Sequence, residues 1–218
     1  MVGQRWQMHF HRRCGRYIKL SDHNQRARRE GDTYDHGLVF SERPLHTGEL
    51  FQLKIEEMEL KWAGSLRIGV TTENPNLNET KIARAVTDLF TSDDENYWVL
   101  SGQSVHNGKK EFEYNKLNMY SLRVYDRVAV QVKSNGDLHF YENGFDRGIA
   151  MRDMPIQKEL FAVFDLYGQT KQVSWDYFGA PSLEKLCQKK LRLYLSKEEI
   201  DKIPLPASLK EFLQSALD

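Results

Sequence analysis

"VAVQVKSNGDLHFYENG", residues 128–144, is the segment from which the fold is read. Val128, Val130 and Val132 alternate with small or polar residues, so they share one face of an extended chain. Asn135-Gly136 supplies residues that tolerate positive φ, and Leu138 and Phe140 return with the same alternation. The predicted unit is a β-hairpin, with a second turn at Asn143-Gly144 immediately after it.

The same period extends outward in both directions. "LFQLKIEE" (50–57) places Phe51, Leu53 and Ile55 on one face, and "SLRIGVTT" (65–72) does so with Leu66, Ile68 and Val70. Both read as half-buried strands. "FAVFDLYGQTKQVSW" (161–175) repeats the hairpin scheme with Tyr167 to Thr170 as its connection. From about residue 8 to residue 178, β-branched and aromatic runs recur every 8 to 12 residues or so between turn clusters, which predicts an all-β, two-sheet sandwich with loops gathered at its ends. No longer repeat suggests a propeller.

After "FGAP" (178–181) the period changes. Leu183, Leu186, Cys187, Leu191, Tyr194 and Leu195 form a stripe along one side of a helix. Ser196 with Glu199 is a capping box opening a second helix through Ile200 and Ile203, and "IPLP" at 203–206 stops it, since proline lacks the amide donor. Ser208 with Glu211 opens a third, carrying Leu209, Phe212, Leu213, Ala216 and Leu217. The division is therefore 1–178 and 179–218. A segment this short falls at or below the roughly 40 residues that a lone core needs. Burying about five of its large apolar side chains at about 1.5–3 kcal/mol each would stabilise it by about 10 kcal/mol before ordering entropy. Either the helices pack back on the sandwich or they dock into another protein.

Lys plus Arg and Asp plus Glu both number 31, so the summed field favours neither nucleic acid nor an anionic membrane. Two cysteines, Cys14 and Cys187, make no disulfide framework and point to a reducing compartment. No apolar run approaches the roughly 18 residues of a membrane span, and "MVGQRWQMHFHRRCG" lacks a signal-peptide core. A cytoplasmic or nuclear setting without membrane insertion is the expectation.

Residues that carry catalysis elsewhere are poorly spaced here. His9, His11 and Cys14 fit no closed metal site. Glu56–Glu57 and Asp93–Asp94 are adjacent, hence on opposite strand faces or in a loop. Neither a nucleophile elbow nor a phosphate-cradling loop is present. No catalytic residue, metal or cofactor is expected. Trp62, Trp98 and Trp175 read as strand residues packed in or near the core. Recognition is sought in loops: 21–35, 104–115 and the turn at 167–170. Arg26, Arg28, Arg29 and Tyr34, with Tyr167, Gln169 and Thr170, form a candidate basic and aromatic rim for an acidic or Asn-containing peptide, against the alternative of a plain solvated loop. Lys185, Lys189, Lys190, Arg192 and Lys197 admit a calmodulin or membrane reading, but that leaves the proline stop and third helix unexplained.

Two stretches carry a family resemblance. "SLEKLCQKKL" (182–191) resembles the elongin-binding box of the SOCS box family, and "IPLPASLKEFL" (203–213) resembles the cullin box that follows it. The resemblance implies that Leu183 fills an apolar pocket on elongin C with Leu186, Cys187 and Leu191 beside it, Cys187 packing as a small hydrophobe. It also implies that Ile203, Pro204, Leu205, Pro206, Leu209 and Phe212 meet a cullin. Pro-Leu-Pro favours cullin-5 over cullin-2, and Ile203 stands where leucine is more frequent. The preceding region resembles the neuralized homology repeat in "HF" (9–10), "GLVFSERPLHTGELFQLKIEE" (37–57), "WAGSLRIGVTTENP" (62–75), "WVLSG" (98–102), "GDLHFYENGFDRGIA" (136–150) and "LFAVFDLYGQTKQVSW" (160–175). "YDRVAV" (125–130) departs from a more usual glycine-containing "GDRVGV", so Tyr125 and Ala129 reshape that strand entry.

The combined resemblance implies a SPRY-like, jelly-roll sandwich joined to a small three-helix SOCS box. It implies a non-catalytic substrate receptor: the sandwich holds an unidentified protein target, while the tail holds elongin B, elongin C and cullin-5 with its RING subunit. No RING spacing of about eight Cys and His ligands occurs in the chain. Ubiquitin transfer would then be accelerated by proximity. The competing reading is a lectin-like scaffold whose tail is an internal packing element.

Overall fold

A computed structural model describes residues 8–77, 95–176, 200, 202–204, 206 and 210. The chain divides into two compact units, Met1–Tyr177 and Phe178–Asp218. In the first, the described strands are β1 (Ile18–Ser21), β2 (Arg26–Arg29), β3 (Leu38–Phe40), β4 (Leu50–Met58), β5 (Arg67–Thr71), β6 (Tyr97–Ser101), β7 (Ser104–Asn107), β8 (Lys110–Glu113), β9 (Arg127–Val132), β10 (Leu138–Glu142), β11 (Phe145–Met151), β12 (Phe161–Asp165) and β13 (Thr170–Trp175). They form a seven-stranded sheet in the order β1-β2-β13-β4-β9-β10-β11 and a six-stranded sheet in the order β3-β12-β5-β6-β7-β8. The pairings among the described strands are all antiparallel, as in a sandwich of hairpins and crossovers.

The hairpin at 128–144 is present. Val132 pairs with Leu138, Val130 with Phe140 and Val128 with Glu142. Asn135 Oδ1 accepts the Asp137 amide at 3.1 Å, and Asn143 and Gly144 turn the chain at φ 51 and 84. Phe51, Leu53, Ile55, Val128, Val130, Leu138 and Phe140 join Leu66, Ile68, Val70 and Phe164 in the core between the sheets. Phe10 packs edge-on to Phe164 there, centroids 5.0 Å apart.

Three sequence expectations are corrected. Residues 21–35 are not one loop: Asp22, His23 and Asn24 turn the chain at positive φ, and β2 follows. Its alternation was hidden because one of its inward residues is an arginine, Arg29, which is fully buried. Residues 104–115 likewise contain the β7–β8 hairpin, whose second strand is exposed along its length and so lacks an apolar period. Finally, β5 is buried on both faces. A second apolar cluster of Leu38, Phe40, Tyr97, Val99 and Val163 lies on the outer face of the six-stranded sheet, so β5 does not have a wet side.

Candidate target-docking face at one end of the sandwich

Strand order determines which loops meet. β2 and β4 both flank β13, so the segments that leave β2 (30–37) and β4 (59–66) lie beside the 166–169 turn that enters β13. Their backbones interlock: the Gly168 amide donates to Tyr34 O at 3.2 Å, the Gln169 amide to Gly64 O at 3.2 Å, and the Glu59 amide to Gln169 O at 2.7 Å. Gly168 has φ 56, and a Cβ there would lie 2.1 Å from Ala63 O, so only glycine permits this approach.

On that frame three aromatic rings converge. Tyr34 lies 5.3 Å from Trp62 and edge-on to Tyr167 at 5.7 Å, while the Arg67 guanidinium stacks 3.5 Å from the Tyr167 centroid. Such a stack is worth about 0.5–2 kcal/mol, more when water is excluded. Arg67 is held by Nη1 to Asp165 at 3.3 Å and by Nε to Ser101 Oγ at 3.1 Å. Beside it is a recess of about 360 Å³ lined by Gly64, Ser65, Arg67, Ser101, Tyr120 and Tyr167. The buried hydroxyl of Ser65 and the buried Nε1 of Trp62 have no hydrogen-bond partner among the described residues. Tyr120, which lines the recess, is 62% exposed, and Leu60 in the β4–β5 segment is 80% exposed.

The charge buried beneath the face is only partly compensated: Arg29 Nε and Nη1 have no hydrogen-bond partner among the described residues. Arg29 donates from Nη2 to Gly168 O at 2.7 Å. Burial lowers its pKa from the ordinary guanidinium value, opposed by the charges of Glu59, Asp165 and Asp35. Hydrogen bonds from Lys171, and then from Lys61, bring Glu59 down to about 2. Lys171 also donates to Gly31 O at 2.8 Å, tying the β2–β3 segment to β13.

The candidate rim residues divide. Tyr34 and Tyr167 meet in the aromatic cluster. Gln169 enters it through its backbone. Arg26 and Arg28 instead belong to the sheet, Arg26 paired with Asp22 at 3.0 Å and Arg28 with Glu57. Thr170 is a framework residue: it is wholly buried and its hydroxyl accepts the Leu66 amide at 2.9 Å. Trp98 and Trp175 pack against the core, but Trp62 lies in the β4–β5 loop and belongs to the face. Trp62, Ser65, Arg67 and Tyr120 were not singled out for recognition from sequence, although "LKWAG" (60–64) breaks the strand alternation with exposed apolar residues and was a readable signal.

His9 Nδ1 lies 3.1 Å from Glu42 Oε2, and His11 Nε2 lies 3.0 Å from Asn76 Oδ1. Cys14 packs against the core, and burial pushes its thiol up to about 11. In the second unit, backbone is helical at Ile200, Lys202 and Lys210. Ile203 is half-buried, and Pro204 and Pro206 are exposed. Leu183, Leu186, Cys187, Leu191, Leu205, Leu209 and Phe212, and with them most of the expected three helices, lie outside the described residues.

The Neuralized family profile matches residues 10–175, which contain both sheets and the face. The chain belongs to the Neuralized family. A SOCS box profile matches residues 179–214 directly after it. This Neuralized chain is 28% identical to human Neuralized-like protein 2 over 93% of its own length and 90% of the relative's. It is 29% identical to mouse E3 ubiquitin-protein ligase NEURL3 over 73% of its length and 57% of that protein's. Its fold matches the crystal structure of the Drosophila melanogaster neuralized-nhr1 domain with a TM-score of 0.64 at 21% identity, covering 78% of this chain and 98% of that one. It also matches the SPRY domain of human HERC1 with a TM-score of 0.53 at 12% identity, covering 78% and 98%. A Neuralized domain followed by a SOCS box supports a substrate-recognition adaptor for cullin-RING ubiquitin ligases.

Proposed function

We propose that this chain is the target receptor of a ligase assembled on elongin B, elongin C and cullin-5 with its RING subunit, and that it does no bond chemistry itself. The observation that carries the reading is the order of two modules in one chain, a Neuralized domain and then a SOCS box. The SOCS box folds as three helices, with Leu183, Leu186, Cys187 and Leu191 held by elongin C and with Ile203, Pro204, Leu205, Pro206, Leu209 and Phe212 meeting the cullin. The protein target docks on the Tyr34–Trp62–Tyr167 face, in the cytoplasm or nucleus. Holding a target near a charged conjugating enzyme raises the effective concentration of the two reactants.

Co-expression with elongins B and C, followed by size-exclusion chromatography, tests this. A receptor elutes as a stoichiometric complex. Leu183→Ala weakens that complex at least about tenfold, as loss of a buried apolar anchor does. Cys187→Asp abolishes it by placing a charge in an apolar pocket. A scaffold whose tail packs internally elutes alone in every case, and titration with cullin-5 and cullin-2 separates the two cullins.

A further inference from the structure

Tyr125 occupies a backbone conformation that its side chain opposes. Its φ is 75, where Cβ crowds the following carbonyl and where glycine fits without strain. The turn is built by other groups. The Tyr125 amide donates to Ile55 O at 2.8 Å, the Arg123 amide to Asp126 Oδ2 at 2.7 Å, and Asn143 Nδ2 to Asp126 Oδ1 at 2.9 Å. None of these bonds uses the phenol ring. The ring is 65% exposed, and its one described contact is Lys54 Nζ, 5.0 Å from its centroid. Folding therefore gains little from an aromatic residue here, and strain retained without a folding benefit is a mark of function.

The neighbours indicate what the ring meets. Tyr120 and Val124 on the same segment are 62% and 38% exposed. Of the two charged residues in 118–126, Asp126 is engaged by the Arg123 amide and by Asn143, whereas the exposed Arg123 guanidinium makes no ion pair among the described residues. The segment thus offers apolar surface beside a free cation and no free carboxylate, so a second copy of the same segment does not complement it.

We propose that Tyr125 is a specificity-determining contact for the target: with Tyr120 and Val124 it receives an apolar side chain of a protein segment whose adjacent carboxylate pairs with Arg123. This rests on the docking-face reading and extends that face toward β4 and β9.

The test uses the full chain and peptides selected on it from a random twelve-residue display library. Tyr125→Gly and Tyr125→Asn, both compatible with positive φ, are expected to unfold at the same temperature or a few degrees higher, and to bind the selected peptides at least about tenfold more weakly. Arg123→Glu is expected to weaken them similarly, with an effect that shrinks at high salt. Affinity within twofold of wild type, or a lowered unfolding temperature for both Tyr125 variants, overturns the inference. If Trp62→Ala abolishes binding while the Tyr125 variants bind normally, the face stands and only this extension falls. If neither matters, or the library yields no binder, both readings fall.

Discussion

The guanidinium of Arg67 lies 3.5 Å from the centroid of Tyr167 and, from the same strand position, reaches the fully buried Asp165 at 3.3 Å. One cation thus neutralises a buried carboxylate and supports the ring that shapes the docking face. The pair joins β5 to the end of β12, so core stability and site geometry share a residue.

Arg67→Ala leaves Asp165 buried without this partner and is expected to cost about 3 kcal/mol, in the range for breaking one side of a buried pair. Arg67→Lys keeps the charge but loses the planar stack and is expected to cost less, about 1–2 kcal/mol. Urea unfolding of the two variants beside wild type gives the comparison. Equal midpoints for all three would mean that the pair contributes nothing.

Gly168→Ala drives a Cβ to 2.1 Å from Ala63 O at a φ of 56. The expected loss is at least about 2 kcal/mol. Because the 166–169 turn must shift, Tyr34, Trp62 and Tyr167 should separate. Near-UV circular dichroism of the folded variant should then lose aromatic signal while far-UV signal persists.

Thr170→Val retains shape but removes the acceptor of the Leu66 amide in a fully buried position. Leaving that donor unsatisfied is expected to cost about 1–3 kcal/mol. Peptides bound at the face should keep their affinity for the folded variant, whereas a true contact residue would lower it. Thermal unfolding and a binding titration on one preparation decide between the two.

Asp146 is pulled in two directions: burial raises its pKa, and hydrogen bonds from His139, the Gly148 amide and Lys133 outweigh this and bring it down to about 2. An unfolded aspartate titrates near 3.9. Since the folded value is the lower one, the contribution of Asp146 is fully present above about pH 4 and is lost as pH falls toward about 2. Asp146→Asn should therefore flatten the stability curve across that window and leave its neutral limb parallel to wild type. Denaturant midpoints measured at half-unit pH steps would reveal an unchanged slope if the bonds were absent.

The hairpin at 128–144 was legible because every signal there is local. The period of two reports one buried face, and Asn-Gly pairs tolerate the positive φ that a tight turn needs. β2 and β8 were not legible for the opposite reason. Arg29 reads as polar, yet it is buried, and Glu59, Asp165 and Asp35, which tertiary packing brings near it, offset that burial only in part. Every side chain of β8 faces water, so no alternation marks it. Trp62 reads as a core tryptophan from its bulk alone, but it lies in the β4–β5 loop, where its ring meets that of Tyr34 from a distant segment.

Of the candidate site, sequence supplied the turn at 167–170 and the aromatic character of Tyr34. It misassigned Thr170, because a hydroxyl in a turn-like run carries no local sign of whether it faces water or a buried amide. Arg26 and Arg28 looked available for the same reason: Asp22 is near in sequence, but Glu57 is not.

Sequence alone determined the all-β class, the places where the chain turns and the succession of a Neuralized domain by a SOCS box, since periodicity, turn chemistry and motif order are properties of neighbouring residues. Tertiary structure alone decided that Tyr34, Trp62, Arg67 and Tyr167 share one surface. That surface depends on β2 and β4 both flanking β13, a pairing between distant segments that only the packed sheets can specify.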